Sequence, residues 1–323
     1  MNNLQLNACS NAAGDFALPV KLSQKIALMV MLFAIMCSGC SIKRMAVNSV
    51  GDAIAGSGTV YASDDDVELI GQASPFGLKL MESLLAEAPE HRGLLLAAAR
   101  GFTQYAFGYI HLPADELERT NVAASYTQRD RARRMYLRAR DYGLRGLEVG
   151  HPGFTSGIHA QLDVEIQRTD PDDVALLYWT AAAWGAAIGL GKDDPALLAG
   201  IPIVEAFARR ALALDESFEA GAVHGMMISL VMAKPGSESE RIAAAERHFK
   251  RAVELSRGQA AAPYVTYAES VAVARGDRRE FESLLGQALL VDKEAAPQWR
   301  LANEFFQRRA SWLLARTDHY FAQ

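Results

Sequence analysis

The side chains that most often carry catalysis or bind metals are scattered along this sequence. The closest pair of the seven histidines, His151 and His159, stands eight positions apart with no carboxylate between, so the helical zinc motif is absent. The run Gly56, Ser57, Gly58 lacks the spacing of a nucleophile elbow, and no glycine-rich loop leads into Lys-Ser or Lys-Thr. The sequence therefore predicts no enzyme, no metal site and no cofactor.

Six aromatic or basic side chains suggest ligand binding instead. Tyr105 and Tyr109 stand four apart, which places them on one helix face, and His224 lies in an apolar helix. Core packing is the first interpretation of each. The alternative is an apolar cavity with aromatic walls and a few polar anchors, and its candidate lining residues are Trp179, Trp184, Tyr105, Tyr109, His224 and Lys192. Lys192 would suit a carboxylate, although the helix dipole also explains a lysine at a helix end.

A long helix predicted over residues 129–149 is rich in arginine. Six arginines fall within residues 129–141, where Asp130 and Asp141 are the acidic residues, and they surround the helix instead of forming one stripe. The first interpretation is a solvated helix with local ion pairs. The alternative is a docking surface for an acidic partner or for lipid headgroups, with the candidate residues Arg131, Arg134 and Arg138.

The elements that position these side chains are organised around residues 175–191, which contain no charged residue. Asp170 and Pro171 predict the start of this helix, as an N-cap and a first-turn proline. Its length of about 25 Å is shorter than the ~30 Å hydrocarbon core of a bilayer, so we expect a buried helix and not a membrane span. Trp179 and Trp184 point to different neighbours. A neighbouring helix is expected to approach closely along a face formed by Tyr178, Ala182, Gly185 and Gly189.

The N-terminus carries the features of a secretion signal. Residues 26–36 are an apolar run that follows two lysines, and the run is too short to span a membrane. The sequence Cys-Ser-Gly-Cys at residues 37–40 resembles the processing site of bacterial lipoproteins, apart from Cys37, where the pattern usually has Leu. A plain secretion signal or an anchor helix are the alternatives. We expect an extension and signal peptide over residues 1–39, lipidation of Cys40 and a tether over residues 40–66.

Composition favours a helical domain over residues 67–323. Half of the 323 residues are hydrophobic. Alanine and leucine are abundant, and runs of β-branched residues are few, which favours helix. The net charge of −5 argues against nucleic acid as a partner, because phosphate binding needs a basic surface. Ser41 after the lipidated cysteine favours the outer membrane, on the periplasmic side of the bacterial envelope, with the lipid as the contact with the membrane.

Internal repeats refine this prediction. Four segments share an apolar helix end followed by a polar corner, and the corners are Pro89, Asp215, Ser256 and Asp292. The last three are 41 and 36 residues apart, close to the ~34 residues of a tetratricopeptide unit. The pattern predicts stacked helical hairpins that form an all-α, degenerate tetratricopeptide-like solenoid. The alternative is a helical bundle without repeats.

Six stretches of the sequence, taken together, resemble the T-component lipoproteins (TatT) of tripartite ATP-independent periplasmic (TRAP) transporters. They include PFGLKLMESLLAEAPEHRGLLLAAARGFTQYAFGY, RRMYLRARDYGLRGLE, LLYWTAAAWGAAIGLGKDDP and RRALALDESFEAGAVH, and they cover most of residues 67–316. The resemblance implies a helical lipoprotein that works beside the solute-binding P component. It also implies a trimer with a partly apolar channel, which suggests that a hydrophobic or carboxylate ligand is held or relayed. It assigns no catalytic residue.

The main functional hypothesis is thus a lipid-anchored accessory protein of a TRAP-type uptake system. The alternative is an envelope scaffold of tetratricopeptide type with no transport role. The two share a fold and differ in their partner.

Overall fold

The computed structural model describes residues 45–321, and the predicted signal peptide and Cys40 lie outside these residues. Within them the regular secondary structure is helical, which confirms the all-α helical repeat domain. The residues from Val47 onward form one compact unit. Across the described residues, no helix combines the length and the hydrophobicity that are needed to cross a membrane.

The predicted tether contains helix. Residues 45–56 (α1) and Gly58–Ala62 (α2) are helical, and a side chain at Gly51 would collide with His91 and Leu94. Helix α3 runs over Val67–Glu87 and begins with Asp66, whose carboxylate accepts a hydrogen bond from the backbone of Leu69 at 2.8 Å. Composition alone suggests a flexible linker here, but small residues let the segment pack on the domain.

The first large layer consists of α3 and the three helices that follow it. Helix α4 (Arg92–Ala106) continues through a π-helical turn over Phe107–His111 into α5 (Leu112–Leu117). Helix α6 (Val122–Gly150) is capped by Asn121 and begins seven residues before the predicted Arg129. Helices α7 (Phe154–Ala160) and α8 (Leu162–Arg168) follow and lead to the central helix.

The central helix α9 covers Val174–Gly189 and is buried, as predicted. A single 3-10 turn over Pro171–Asp173 precedes it, and Asp170 forms the expected cap. On the predicted face, an added Cβ at Gly185 would lie 3.6 Å from the side chain of Val204, but the tightest approach occurs on a different face. Gly143 of α6 touches Thr180, where an added Cβ would lie 3.0 Å from the Thr180 Cβ, whereas Gly189 is exposed and has open space around it. The small residues that matter are on the neighbouring helix.

The C-terminal half stacks helices in pairs. The predicted corners Asp215, Ser256 and Asp292 each lie between two paired helices, which confirms the repeat layout. The elements are α10 (Pro195–Leu198), α11 (Ile201–Leu214), α12 (Ala222–Met232), α13 (Glu238–Leu255), α14 (Ala262–Tyr267) with a π-helical turn over Ala268–Ala272, α15 (Arg278–Leu289), α16 (Arg300–Leu314) and α17 (Thr317–Tyr320). The Asn303 side chain fastens α16 to the turn before α14, since it accepts from the backbone of Ala261 and donates to Gln259.

The last long helix returns to the first ones. Phe305 of α16 packs on Gly108, and Arg300 donates to the carbonyl of Ser63 at 2.9 Å. Arg309 donates to Asp115 at 3.0 Å, across 194 positions of sequence. We call these contacts the closure seam. They join both ends of the helix stack, so the stack is closed on itself.

Candidate functional site

Trp184 is a packing residue. Its ring is buried, lies under the Arg140 guanidinium at 5.1 Å and leaves no room for a side chain at Gly200. Its indole nitrogen is buried and has no hydrogen-bond partner within the described chain. Trp179 faces another neighbour, as the five-residue spacing predicts.

Tyr105 and Tyr109 stack on each other with ring centroids 5.4 Å apart, on the predicted common face. The Tyr109 hydroxyl donates to the carbonyl of Val67 at 2.8 Å, and its ring meets the edge of Phe305. Burial raises the pKa of Tyr109 to about 12. Tyr109 therefore belongs to the closure seam.

His224 faces a second histidine. Its Nδ1 lies 2.9 Å from Nδ1 of His248, and its Nε2 lies 3.4 Å from Glu216, which also pairs with Arg251. Burial lowers the pKa of both imidazoles, and burial together with the charge of His224 lowers that of His248 to about 4. The pair joins α12 to α13 and lies apart from Lys192, which is exposed after the end of α9.

Trp179 lies beside charged residues that the sequence analysis did not single out. The Arg100 guanidinium lies over the Trp179 ring at 5.5 Å, and its Nη1 is 3.7 Å from Oε1 of Glu219. Tyr178 contacts both Trp179 and Phe218, with ring centroids 5.0 and 5.4 Å apart. We call these five residues the Arg100 site. After Arg92, Arg100 is the single charged residue of α4, and this isolated charge was the signal in the sequence.

A strained turn presents Glu219. Glu219 and Ala220 have φ angles of 43° and 56°, and Gly221 follows with 85°. Residues with side chains seldom adopt such angles, and each costs about 1–3 kcal/mol. Burial raises the pKa of the Glu219 carboxyl, an effect that Arg100 and the Trp179 side chain partly offset. Glu219 lies in a 3-10 turn, and helix α12 begins after it at Ala222.

The arginines of α6 divide into two sets. Arg129, Arg133 and Arg140 turn towards the fold, where Arg129 binds Asp115 at 2.7 Å. The three predicted docking residues share the exposed side, at spacings of three and four, and we call them the arginine stripe: Arg131, Arg134 and Arg138. Arg134 pairs with Asp130, and Arg138 lies 3.4 Å from Glu82. The six arginines therefore surround the helix, and the three exposed ones lie together on one side of it.

The closure seam holds a network of charges. The Arg309 guanidinium binds Asp115 at 3.0 Å and Glu269 at 2.7 Å, and Arg129 shares Asp115. Glu269 belongs to one π-helical turn, and Asp115 follows the other. Burial alone would lower the pKa of Arg309, but the two carboxylates raise it above the ordinary value. Such turns are frequent at functional positions.

The candidate residues do not converge on one site. They lie in separate neighbourhoods: the Arg100 site, the Trp184 contact, the closure seam and the histidine pair. Among residues 45–321, no three His, Cys, Asp or Glu side chains are placed to hold a metal ion together.

The sequence of this fold matches known proteins over nearly its whole length. The model of the TRAP transporter T-component family matches residues 63–321, which include helices α3–α17. An uncharacterized protein of Treponema pallidum (strain Nichols) is 30% identical over 305 residues, which cover 89% of this chain and 94% of that protein. The chain therefore belongs to the TRAP transporter T-component family.

Proposed function

We propose that this protein is a lipid-anchored periplasmic accessory component of a TRAP uptake system. In this role it docks the solute-binding P component and holds or relays a hydrophobic or carboxylate ligand as a homo-oligomer, with a trimer expected. The observation that carries the proposal is the family match over residues 63–321. The acyl chain on Cys40 is the membrane anchor, and the outer membrane is favoured.

The arginine stripe is the proposed docking surface. Its three guanidinium groups project from the exposed side of a helix in a chain with a net charge of −5. Local ion pairs neutralise part of this charge, and Arg131 is exposed on the same face. A basic stripe on an acidic protein attracts an acidic surface and orients it.

Calorimetric titration of residues 41–323, without the lipid, against the purified P component of the same operon tests docking. We expect saturable binding that weakens as salt rises, and at least about a tenfold loss in the triple variant R131E/R134E/R138E, because charge reversal makes the stripe repel its partner. Sedimentation of the same samples reports the oligomeric state.

The matched control reverses three exposed arginines outside α6, in R247E/R257E/R279E. It changes the net charge equally and should leave binding within about twofold. Equal losses of affinity in both variants would show that net charge, and not the arginine stripe, determines binding. No binding at tens of micromolar would favour the scaffold alternative.

A further inference from the structure

The Arg100 site contains a cation and an anion that are close but not joined. Nη1 of Arg100 lies 3.7 Å from Oε1 of Glu219. A charge-assisted hydrogen bond is about 2.7–2.9 Å long, so Arg100 and Glu219 do not satisfy each other, although the Trp179 side chain also donates to Glu219. Both side chains are accessible, with 33% of Arg100 and 29% of Glu219 exposed.

Three aromatic rings adjoin the two charges. Trp179 is buried, and Tyr178 and Phe218 are half-buried beside it. A cation–π contact holds the Arg100 guanidinium over the Trp179 ring at 5.5 Å. This contact orients the N–H donors of the guanidinium and leaves them available for hydrogen bonds. An apolar group and a charged group of one ligand would both find partners here.

The backbone indicates that Glu219 is held in place at a cost. Two consecutive residues with side chains, Glu219 and Ala220, adopt left-handed angles, and Gly221 packs against Leu255 of α13. Backbone strain of this kind persists only where the surrounding structure holds the residue, and it is concentrated at active sites and ligand-binding sites. Here the strained turn places the Glu219 carboxylate near Trp179 of the central helix and Arg100 of α4.

We propose that the Arg100 site binds a zwitterionic amino acid with an aromatic or other large apolar side chain. The ligand carboxylate would bind Arg100, its ammonium group would bind Glu219, and its side chain would lie against Tyr178 and Phe218. The inference deepens the ligand-holding part of the proposed function and rests on it.

Charge balance selects this class of ligand. A ligand with a carboxylate alone would take Arg100 from Glu219 and leave a partly buried carboxylate without its cation. An amine alone would leave Arg100 without its anion. Removing one partner of a buried pair is costly, whereas a zwitterion gives each charge a new partner.

Three probes that share a phenyl group separate these possibilities: L-phenylalanine, 2-phenylethylamine and 3-phenylpropionate. Calorimetric titration of the full chain at pH 7.5 should show binding of phenylalanine in the submillimolar range, with each single-charge probe at least about tenfold weaker. Arg100→Lys and Glu219→Gln should each weaken phenylalanine binding about tenfold or more. Thermal melting checks that both variants are folded.

The matched control is Arg145→Ala, which removes an exposed arginine that lies 5.4 Å over the ring of Tyr142. It should leave phenylalanine binding unchanged. Equal binding of 3-phenylpropionate or of 2-phenylethylamine would overturn the proposal, and so would the absence of binding at about 10 mM phenylalanine. Docking of the P component can be tested independently of phenylalanine binding. Arg100→Lys should leave docking unchanged, and the stripe variant should leave phenylalanine binding unchanged.

Discussion

At the scale of single residues, the sequence indicated residue types but not their partners. His224 was predicted to be a packing residue or a ligand contact, and it proves to face His248, which lies 24 positions later. Trp179 was predicted correctly as buried, but Arg100 and Glu219 beside it come from two other elements. Pairings of this kind depend on how helices dock, which spacing along one helix cannot specify.

The histidine pair should make stability depend on pH. The folded-state pKa of His248 is about 4, below its ordinary value of about 6.5, chiefly because of burial and then because of the neighbouring His224. A depressed histidine pKa gives stability that is complete above pH 6.5 and is lost as the pH falls towards 4. Of the charged groups near the pair, Glu216 and Arg251 are paired with each other, and Arg247 adds to the lowering of the His248 pKa.

Urea unfolding at pH 7.5, 5.5 and 4.5 measures this effect. We expect the free energy of unfolding to fall by roughly 1–2 kcal/mol more in the wild type than in His248→Gln, a figure discounted because His248 is half-exposed. The exposed His159→Gln is the control and should follow the wild type. Parallel curves for all three proteins would refute the assignment.

At the scale of elements, the helices and their pairing were largely predictable. The cap at Asp170 binds the backbone as predicted, and Asp194 and Asp277 cap α10 and α15 in the same way. Ser74 and Pro75 have the residue types of a helix start, but Asp66 caps α3 eight residues before Ser74 and the helix accommodates Pro75. A proline marks a possible start, but it cannot exclude a helix that began before it.

The contact between α6 and α9 depends on Gly143. Gly143→Ala should lower the free energy of unfolding by about 1–3 kcal/mol, since the new methyl group meets the stiff side chain of Thr180. Thermal or urea unfolding measures the change. Gly189→Ala, in the open space of α9, should be neutral or slightly stabilising because alanine favours helix. Equal effects at both glycines would show that helix propensity alone is at work.

At the scale of the whole molecule, the closure of the stack was not predictable. The repeat period describes contacts between neighbours, whereas Arg309 and Asp115 meet across 194 positions. The seam also has a small apolar core, with the buried residues Val67, Leu112 and Phe305. Larger apolar clusters hold the other helices together. The seam is therefore the junction most easily opened.

Removing the Phe305 ring should loosen this junction selectively. Phe305→Ala is expected to cost about 3 kcal/mol and to speed hydrogen exchange in residues 67–71 and 107–115. Phe249→Ala, whose ring packs on Tyr264 and Tyr267, should speed exchange in α13 and α14 instead. Uniform acceleration in both variants would show that the stack opens as one cooperative unit.

The helix over residues 45–56, which packs on the domain at Gly51, has a consequence for reach. A lipid on Cys40 would leave four residues, 41–44, before the described helical residues begin. Four residues extend at most about 13–14 Å. The domain would then stay closer to the bilayer than a flexible tether over residues 40–66 would allow. A P component that docks as proposed would have to come to the membrane surface.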